Sequence, residues 1–302
     1  MPSLALPKTG LPGLPALLNG DLWERWGASG AVFPVTDFRR SIRYLRLKPG
    51  TSCRLAVFRN EDISGTDQPP EGLLVYAYTD PPRAEAYFDK VTSGKRGNKP
   101  QPYEPFLDRE HALVAVPFPS DREVPGLRHV YRHHRLKETV VPFLPEIAGS
   151  GWRVVKRRTS LRLLSYKVGR RAVFAYNVHA ERIATGDRRD VTLHLKAESD
   201  ETFDAGRLVA LGKLTEGASS SGWRLPAIVG WDTERRLTFR RWYTGNVLSS
   251  RLNDPRAIEK TARALARRHE VAPQGVALEA PGLREGVAPA IEQLVTLLPQ
   301  HE

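Results

Sequence analysis

Apolar and polar residues alternate with a period of two along residues 42–58, IRYLRLKPGTSCRLAVF. A strand sends successive side chains to opposite faces, so this alternation predicts β-structure. It breaks once, at Lys48-Pro49-Gly50, where Gly50 can supply the positive φ of a tight turn. Residues 161–177, LRLLSYKVGRRAVFAYN, repeat the pattern. An ungapped offset of 119 positions aligns Arg43 with Arg162, Leu45 with Leu164, Lys48 with Lys167, Gly50 with Gly169 and Ala56 with Ala175. Both segments are predicted β-hairpins, and the repeat continues beyond them. LLVYAYTD (73–80) and VTLHLKAES (191–199) are third strands, and the segments 82–91 and 200–212 are helical. A strand at 112–118 follows in the first half, and two strands around Asp232-Thr233-Glu234 follow in the second, within 227–242. Each half therefore reads β-β-β-α-β-β, an antiparallel five-stranded sheet with one helix, which is an α+β layer arrangement.

The segments between these elements divide the chain. Residues 1–35 are Leu-rich but broken by prolines at 2, 7, 12 and 15, and they are read as a leader. The first repeat is assigned to 36–150 and the second to 151–245, joined by a short helix within 136–147 and a Gly149-Ser150-Gly151 linker. Polar loops are expected at 60–72, 92–105 and 216–223. After Gly245 the period changes to helical. Pro255 stands at a first helical position, Ile258, Thr261, Ala262, Leu265 and Ala266 recur at helical spacing, and a further helix is expected at 285–298.

Composition narrows the function classes. The 302 residues are 40% hydrophobic and 26% charged, with 25 aromatic side chains, which is the make-up of a folded chain of about two domains. A single cysteine, Cys53, excludes an intramolecular disulfide framework and a multi-cysteine metal site, and fits a cytoplasmic protein. No apolar run reaches the roughly 18 residues of a membrane span, and no basic region precedes the N-terminal leucines as in a signal peptide. No membrane partner is expected. The net charge of +12 comes from 46 Lys+Arg, mostly Arg, against 34 Asp+Glu, and all of it lies in residues 1–250. Such an excess can serve nucleic acid or phosphorylated ligands. The Arg pairs are dispersed, however, and the densest patch, RHVYRHHR (128–135), accompanies no zinc-finger, RNP or basic-zipper pattern. A nucleic-acid partner is therefore not the leading reading.

The order of elements in the second repeat points elsewhere. LRLLSYKVGRRAVFAY, followed by a strand carrying LHLKA, resembles the N-terminal lobe of aminoglycoside phosphotransferase-like small-molecule kinases. The preceding Lys-Pro-Gly unit resembles the degenerate N-lobe-like domain found in a bacterial subset of that group. The resemblance covers about residues 38–270. It implies a protein-kinase-like N-lobe, ATP and Mg²⁺ as cofactors, and an unknown small-molecule acceptor. Lys196 would then reach the nucleotide phosphates as a point charge. The hairpin tip, Lys167, Gly169 and Arg170, would offer backbone N–H groups to them. Glu201, or else Asp204, would pair with Lys196 from the following helix, with Glu198 the weaker candidate because it lies on the strand end. Trp242 and Tyr243 would stand in the inter-lobe hinge that holds adenine. In the first repeat YAYT is matched to HLKA, which places Tyr78 where the second has Lys196. A phenol cannot supply a fixed positive charge, so the first repeat is expected to prop the second rather than bind nucleotide.

One part of the pattern is missing. None of the eight histidines begins the His-x-Asp-x-x-x-x-Asn loop that supplies base and metal ligands in this family. The Mg²⁺ ligands would belong to a lobe beyond the matched region, and no catalytic residue is assigned within this chain. The leading expectation is thus an ATP-dependent phosphotransferase by resemblance, inactive as this chain. A non-catalytic nucleotide-binding or interaction protein and a basic nucleic-acid-associated protein remain as alternatives.

Overall fold

A computed structural model describes residues 9–30, 42–59, 69–93, 104–149, 151–217, 226–243, 256 and 259. Residues 1–215 and 224–244 form one compact unit. Residues 216–223 and 245–302 belong to a second, of which Arg256 and Glu259 are described, both helical. The helices expected after Gly245 otherwise lie outside the described residues.

The first unit is α+β, with two antiparallel sheets. It opens on two short helices, α1 (Leu14–Asn19) and α2 (Asp21–Ala28). Sheet 1 follows, made of β1 (Ile42–Lys48), β2 (Ser52–Phe58), β3 (Gly72–Tyr78), β4 (Phe106–Asp108) and β5 (Leu113–Pro117), with α3 (Pro81–Thr92) between β3 and β4. A second helix pair comes next, α4 (Leu127–Val130) and α5 (His133–Val140). Sheet 2 contains β6 (Trp152–Val154), β7 (Ser160–Lys167), β8 (Arg171–Arg182), β9 (Arg188–Glu198), β10 (Ile228–Asp232) and β11 (Leu237–Arg241). The helix α6 (Ala205–Gly217) lies between β9 and β10 in the chain.

The strand order is the same in both sheets. Sheet 1 runs β1-β2-β3-β5-β4, and sheet 2 runs β7-β8-β9-β11-β10, with β6 added beside β7 on the free edge of β8. The turns agree in detail. Gly50 and Gly169 have φ of +65° and +67°, the left-handed region that glycine enters without strain. At the turn before the last strand, Ala112 and Arg236 have φ of 51° and 56°. Their carbonyls accept the N–H groups of Tyr78 and Glu198, each at 3.0 Å. In that same turn Asp108 accepts the N–H of His111 at 3.1 Å, and Asp232 that of Arg235 at 2.9 Å. An aspartate bonding its own backbone three residues on is a turn-forming device.

The repeat also begins earlier than the strands. Leu11-Pro12-Gly13-Leu14 enters α1 as Val124-Pro125-Gly126-Leu127 enters α4. A Cβ on Gly13 would strike the His111 carbonyl and the Leu113 side chain, and one on Gly126 would strike the Arg235 carbonyl and Leu237. The repeated unit is therefore a helix pair plus β-β-β-α-β-β. This corrects two expectations. Residues 9–30 are part of the first repeat and not a leader, and the second repeat starts near Val124, inside the segment first assigned to residues 36–150.

The two repeats stack in the same sense. One face of sheet 1, with Leu55, Val57, Leu73, Val75 and Ala115, is buried under Leu14, Leu17, Trp23 and Trp26 of α1 and α2. Its other face, with Ala56, Leu74, Tyr76, Val114 and Val116, shares a core with α3, with α4 and α5, and with Phe174, Tyr176, Leu193, Leu195 and Phe239 of sheet 2. The layers are thus helix pair, sheet 1, helices, sheet 2. The face of sheet 2 that carries Lys196 corresponds to the Tyr76 face of sheet 1. The basic stretch 128–135 lies in the middle helical layer, where Tyr131 packs edge-on against Phe118 and Phe174.

Cys53, on β2, is fully buried, and burial pushes its thiol up to about 11. The thiolate is the reactive form, so iodoacetamide at about pH 8 should leave the folded chain unlabelled and label it once unfolded in guanidinium. Rapid labelling of the native chain, read by intact mass, would contradict the placement. Among the described residues no helix is long and apolar enough to cross a membrane.

Candidate functional site

Strand β9 alternates strictly. Val191, Leu193, Leu195 and Ala197 are buried in the shared core, and Thr192, His194, Lys196 and Glu198 point to the other face. Cross-strand partners share a face, so Lys196 lies between Val173 and Thr238, and His194 between Ala175 and Arg240. Glu198 stands opposite Arg171. The Lys196 ammonium donates to Glu198 Oε1 at 2.5 Å, with the two side chains 22% and 7% exposed. Burial draws Lys196 below the ordinary lysine range. Glu198 opposes that shift, while Arg171 and Arg240 reinforce it. Burial, Arg240 and Lys196 also lower His194. Arg240 is lowered by burial and by Arg207 of α6, with Glu198 opposing. One carboxylate thus faces Arg171, His194, Lys196 and Arg240.

Three polar atoms of this cluster are buried without a hydrogen-bond partner, namely Thr238 Oγ1, His194 Nδ1 and Arg240 Nε. Thr238 is fully buried and sits directly across from Lys196. A buried polar group left unsatisfied costs about 1–3 kcal/mol. Crowded cations with unused donors are what an anion would satisfy.

The acidic partner of Lys196 is Glu198, not Glu201. The helix after β9 begins at Ala205, with Asp204 accepting the Arg207 N–H at 3.0 Å, so Glu201 falls in the preceding turn and is exposed. Residues i and i+2 of a strand share a face, which gives Glu198 the shorter reach. The matching of repeats is corrected too. Arg54 pairs with Tyr76 as Val173 pairs with Lys196, so Tyr76 is the counterpart of Lys196 and Tyr78 that of Glu198. A two-residue slip keeps every side chain on its face, so the hydrophobic pattern cannot reveal it.

The hairpin tip is placed otherwise than expected. The Gly169 N–H donates to Asp121 Oδ2 at 2.7 Å, and Tyr166 Oη donates to the same oxygen at 2.6 Å. Arg54 and Glu123, an ion pair at 2.6 Å, close over Gly169. The Arg170 N–H is bonded to the Lys167 carbonyl at 2.9 Å, and Arg170 itself is exposed. The turn at Lys167, Gly169 and Arg170 is docked on the first repeat, its N–H groups already engaged, and does not offer them to phosphate.

The supposed hinge borders a cleft of about 430 Å³ where β11 parts from β9. Trp242, Thr192, Asp190, Arg189, Arg241 and Glu146 line it. The Arg241 and Trp242 N–H groups are bonded to the Ala227 and Thr192 carbonyls at 2.9 and 3.2 Å, so they are not open to a base. Tyr243 is 47% exposed.

The donors on the sheet face fit the phosphates of ATP. They do not fit Mg²⁺, because their carboxylate, Glu198, is held by Lys196, and a hard cation needs several oxygens. Elsewhere Asp108, Glu110 and His111 cluster with metal-like spacing. Asp108 there already accepts from Trp26 Nε1 at 3.0 Å, and Arg25 lies 3.6 Å from both acids, so a guanidinium occupies the cation's place. Comparison with known proteins finds no matching family model, no matching curated protein and no matching solved structure.

Proposed function

We propose that this chain is a non-catalytic nucleotide-binding protein built on a duplicated kinase-like N-lobe, with the outer face of sheet 2 as its phosphate site. The observation that supports this most is the half-buried Lys196–Glu198 pair among cations with unused donors. A second support is the cleft beside Trp242. Thr192, on its wall, lies four residues from Lys196 on the same face of β9, about 14 Å away at the usual strand rise. An extended nucleoside di- or triphosphate covers such a distance, with its base in the cleft and its phosphates at Lys196. In the first repeat the counterpart of Lys196 is Tyr76, buried in the core, so only the second repeat would bind. Magnesium would arrive with the nucleotide rather than on ligands of this chain. The sequence has no His-x-Asp-x-x-x-x-Asn loop, so the reading assigns binding and not phosphoryl transfer to these residues. One buried thiol fits a cytoplasmic site of action.

Equilibrium dialysis of ATP in EDTA tests the proposal. Lys196→Met should weaken retention at least about tenfold, the loss of one charge-assisted contact. Glu201→Ala and Arg170→Ala should leave it within about threefold, because both side chains are exposed away from the cluster. Failure of the wild-type chain to retain ATP, or full retention by a folded Lys196→Met chain, would remove the reading.

A further inference from the structure

The donors on the outer face of sheet 2 form two rows. Lys196 with Thr238 makes one, and His194 with Arg240 makes the other, two residues nearer the Trp242 cleft. Two residues of strand separate the rows by about 7 Å. Each row holds a cation and an unpartnered buried atom, Thr238 Oγ1 in one and His194 Nδ1 with Arg240 Nε in the other. A single phosphate at Lys196 would satisfy the first row and leave the second unsatisfied.

From this geometry we infer that the site selects ligands with at least two linked phosphates, one phosphate on the Lys196–Thr238 row and the next reaching toward His194 and Arg240. The inference rests on the nucleotide reading above and names the ligand class within it. Its physical basis is charge. Without a ligand, Arg240 faces Arg207, and His194 faces Arg240 and Lys196, with Glu198 as the opposing carboxylate. A diphosphate neutralises both rows and a monophosphate only one. The cations of the second row repel their neighbours in the empty site, so removing one should not weaken the fold. A purely structural residue would behave in the opposite way.

The test compares ADP, AMP and inorganic pyrophosphate by equilibrium dialysis in EDTA, on the wild-type chain, Arg240→Met and His194→Gln. Melting temperatures are measured alongside. The wild-type chain should bind ADP at least about tenfold tighter than AMP, and each variant should lose most of that ratio while AMP affinity stays within about threefold. The variants should melt no lower than the wild type. An unchanged ADP-to-AMP ratio in both variants overturns the inference and leaves the nucleotide reading standing. Pyrophosphate binding as tightly as ADP supports the inference and removes the nucleotide reading. No binding of any of the three removes both.

Discussion

Replacing Trp26 with alanine is expected to destabilise the chain by about 3–5 kcal/mol, a large part of the 5–15 kcal/mol that holds a typical domain together. The indole is 2% exposed and packs edge-on against Trp23 and Phe106 at 5.4 and 5.5 Å. Its N–H donates to Asp108 at 3.0 Å, tying α2 to the turn between β4 and β5. Truncation would open a cavity between α2 and the sheet and leave Asp108 short of a donor. A leader would behave differently, since removing one of its side chains would cost almost nothing. Denaturation in guanidinium followed by far-UV circular dichroism separates the two. A loss under about 1 kcal/mol would mean that α1 and α2 are not an integral layer of the first repeat.

The second large effect is expected at Asp121. This carboxylate is 3% exposed and accepts from Tyr166 Oη, from the Gly169 N–H and, at 3.0 Å, from the Glu123 N–H. Alanine there strands donors that are buried, at about 1–3 kcal/mol each, so a total of roughly 3–5 kcal/mol is expected. The hydrogen bonds to Tyr166 and Gly169 fasten the hairpin of the second repeat to the segment that follows sheet 1. Adding Tyr166→Phe removes one of the stranded donors. The double variant should therefore be less destabilised than the sum of the two single changes, and the coupling measures that bond. Simple additivity would show that Asp121 and Tyr166 act independently.

The hairpins and the third strands were legible because a period of two, a Lys-x-Gly turn and an ungapped offset all agreed between Ile42–Phe58 and residues 161–177. The helix pair was not, although Leu-Pro-Gly-Leu at 11–14 and Val-Pro-Gly-Leu at 124–127 carried the signal. Four residues are a short match, and prolines beside leucines read more readily as broken structure than as the entry to a six-residue helix. Lys196 was found from its strand, and its partner was sought on the wrong element. The i, i+2 rule that placed His194 beside Lys196 also placed Glu198 there, but the helix was expected to start five residues before Ala205. The contribution of Thr238 and Arg240 needs the pairing of β11 with β9, which no local pattern shows. Nor could any spacing foretell that Gly169 would meet a carboxylate 48 residues away.

The central claim is that two copies of one unit stack in the same sense and that only the second keeps a phosphate site, because Lys196 is replaced by the buried Tyr76 in the first. Calorimetric titration of the full chain with ADP tests this most directly. The account predicts one ADP per chain and no measurable heat of binding in a folded Lys196→Met variant. A stoichiometry of two, or an unchanged isotherm in that variant, would contradict it.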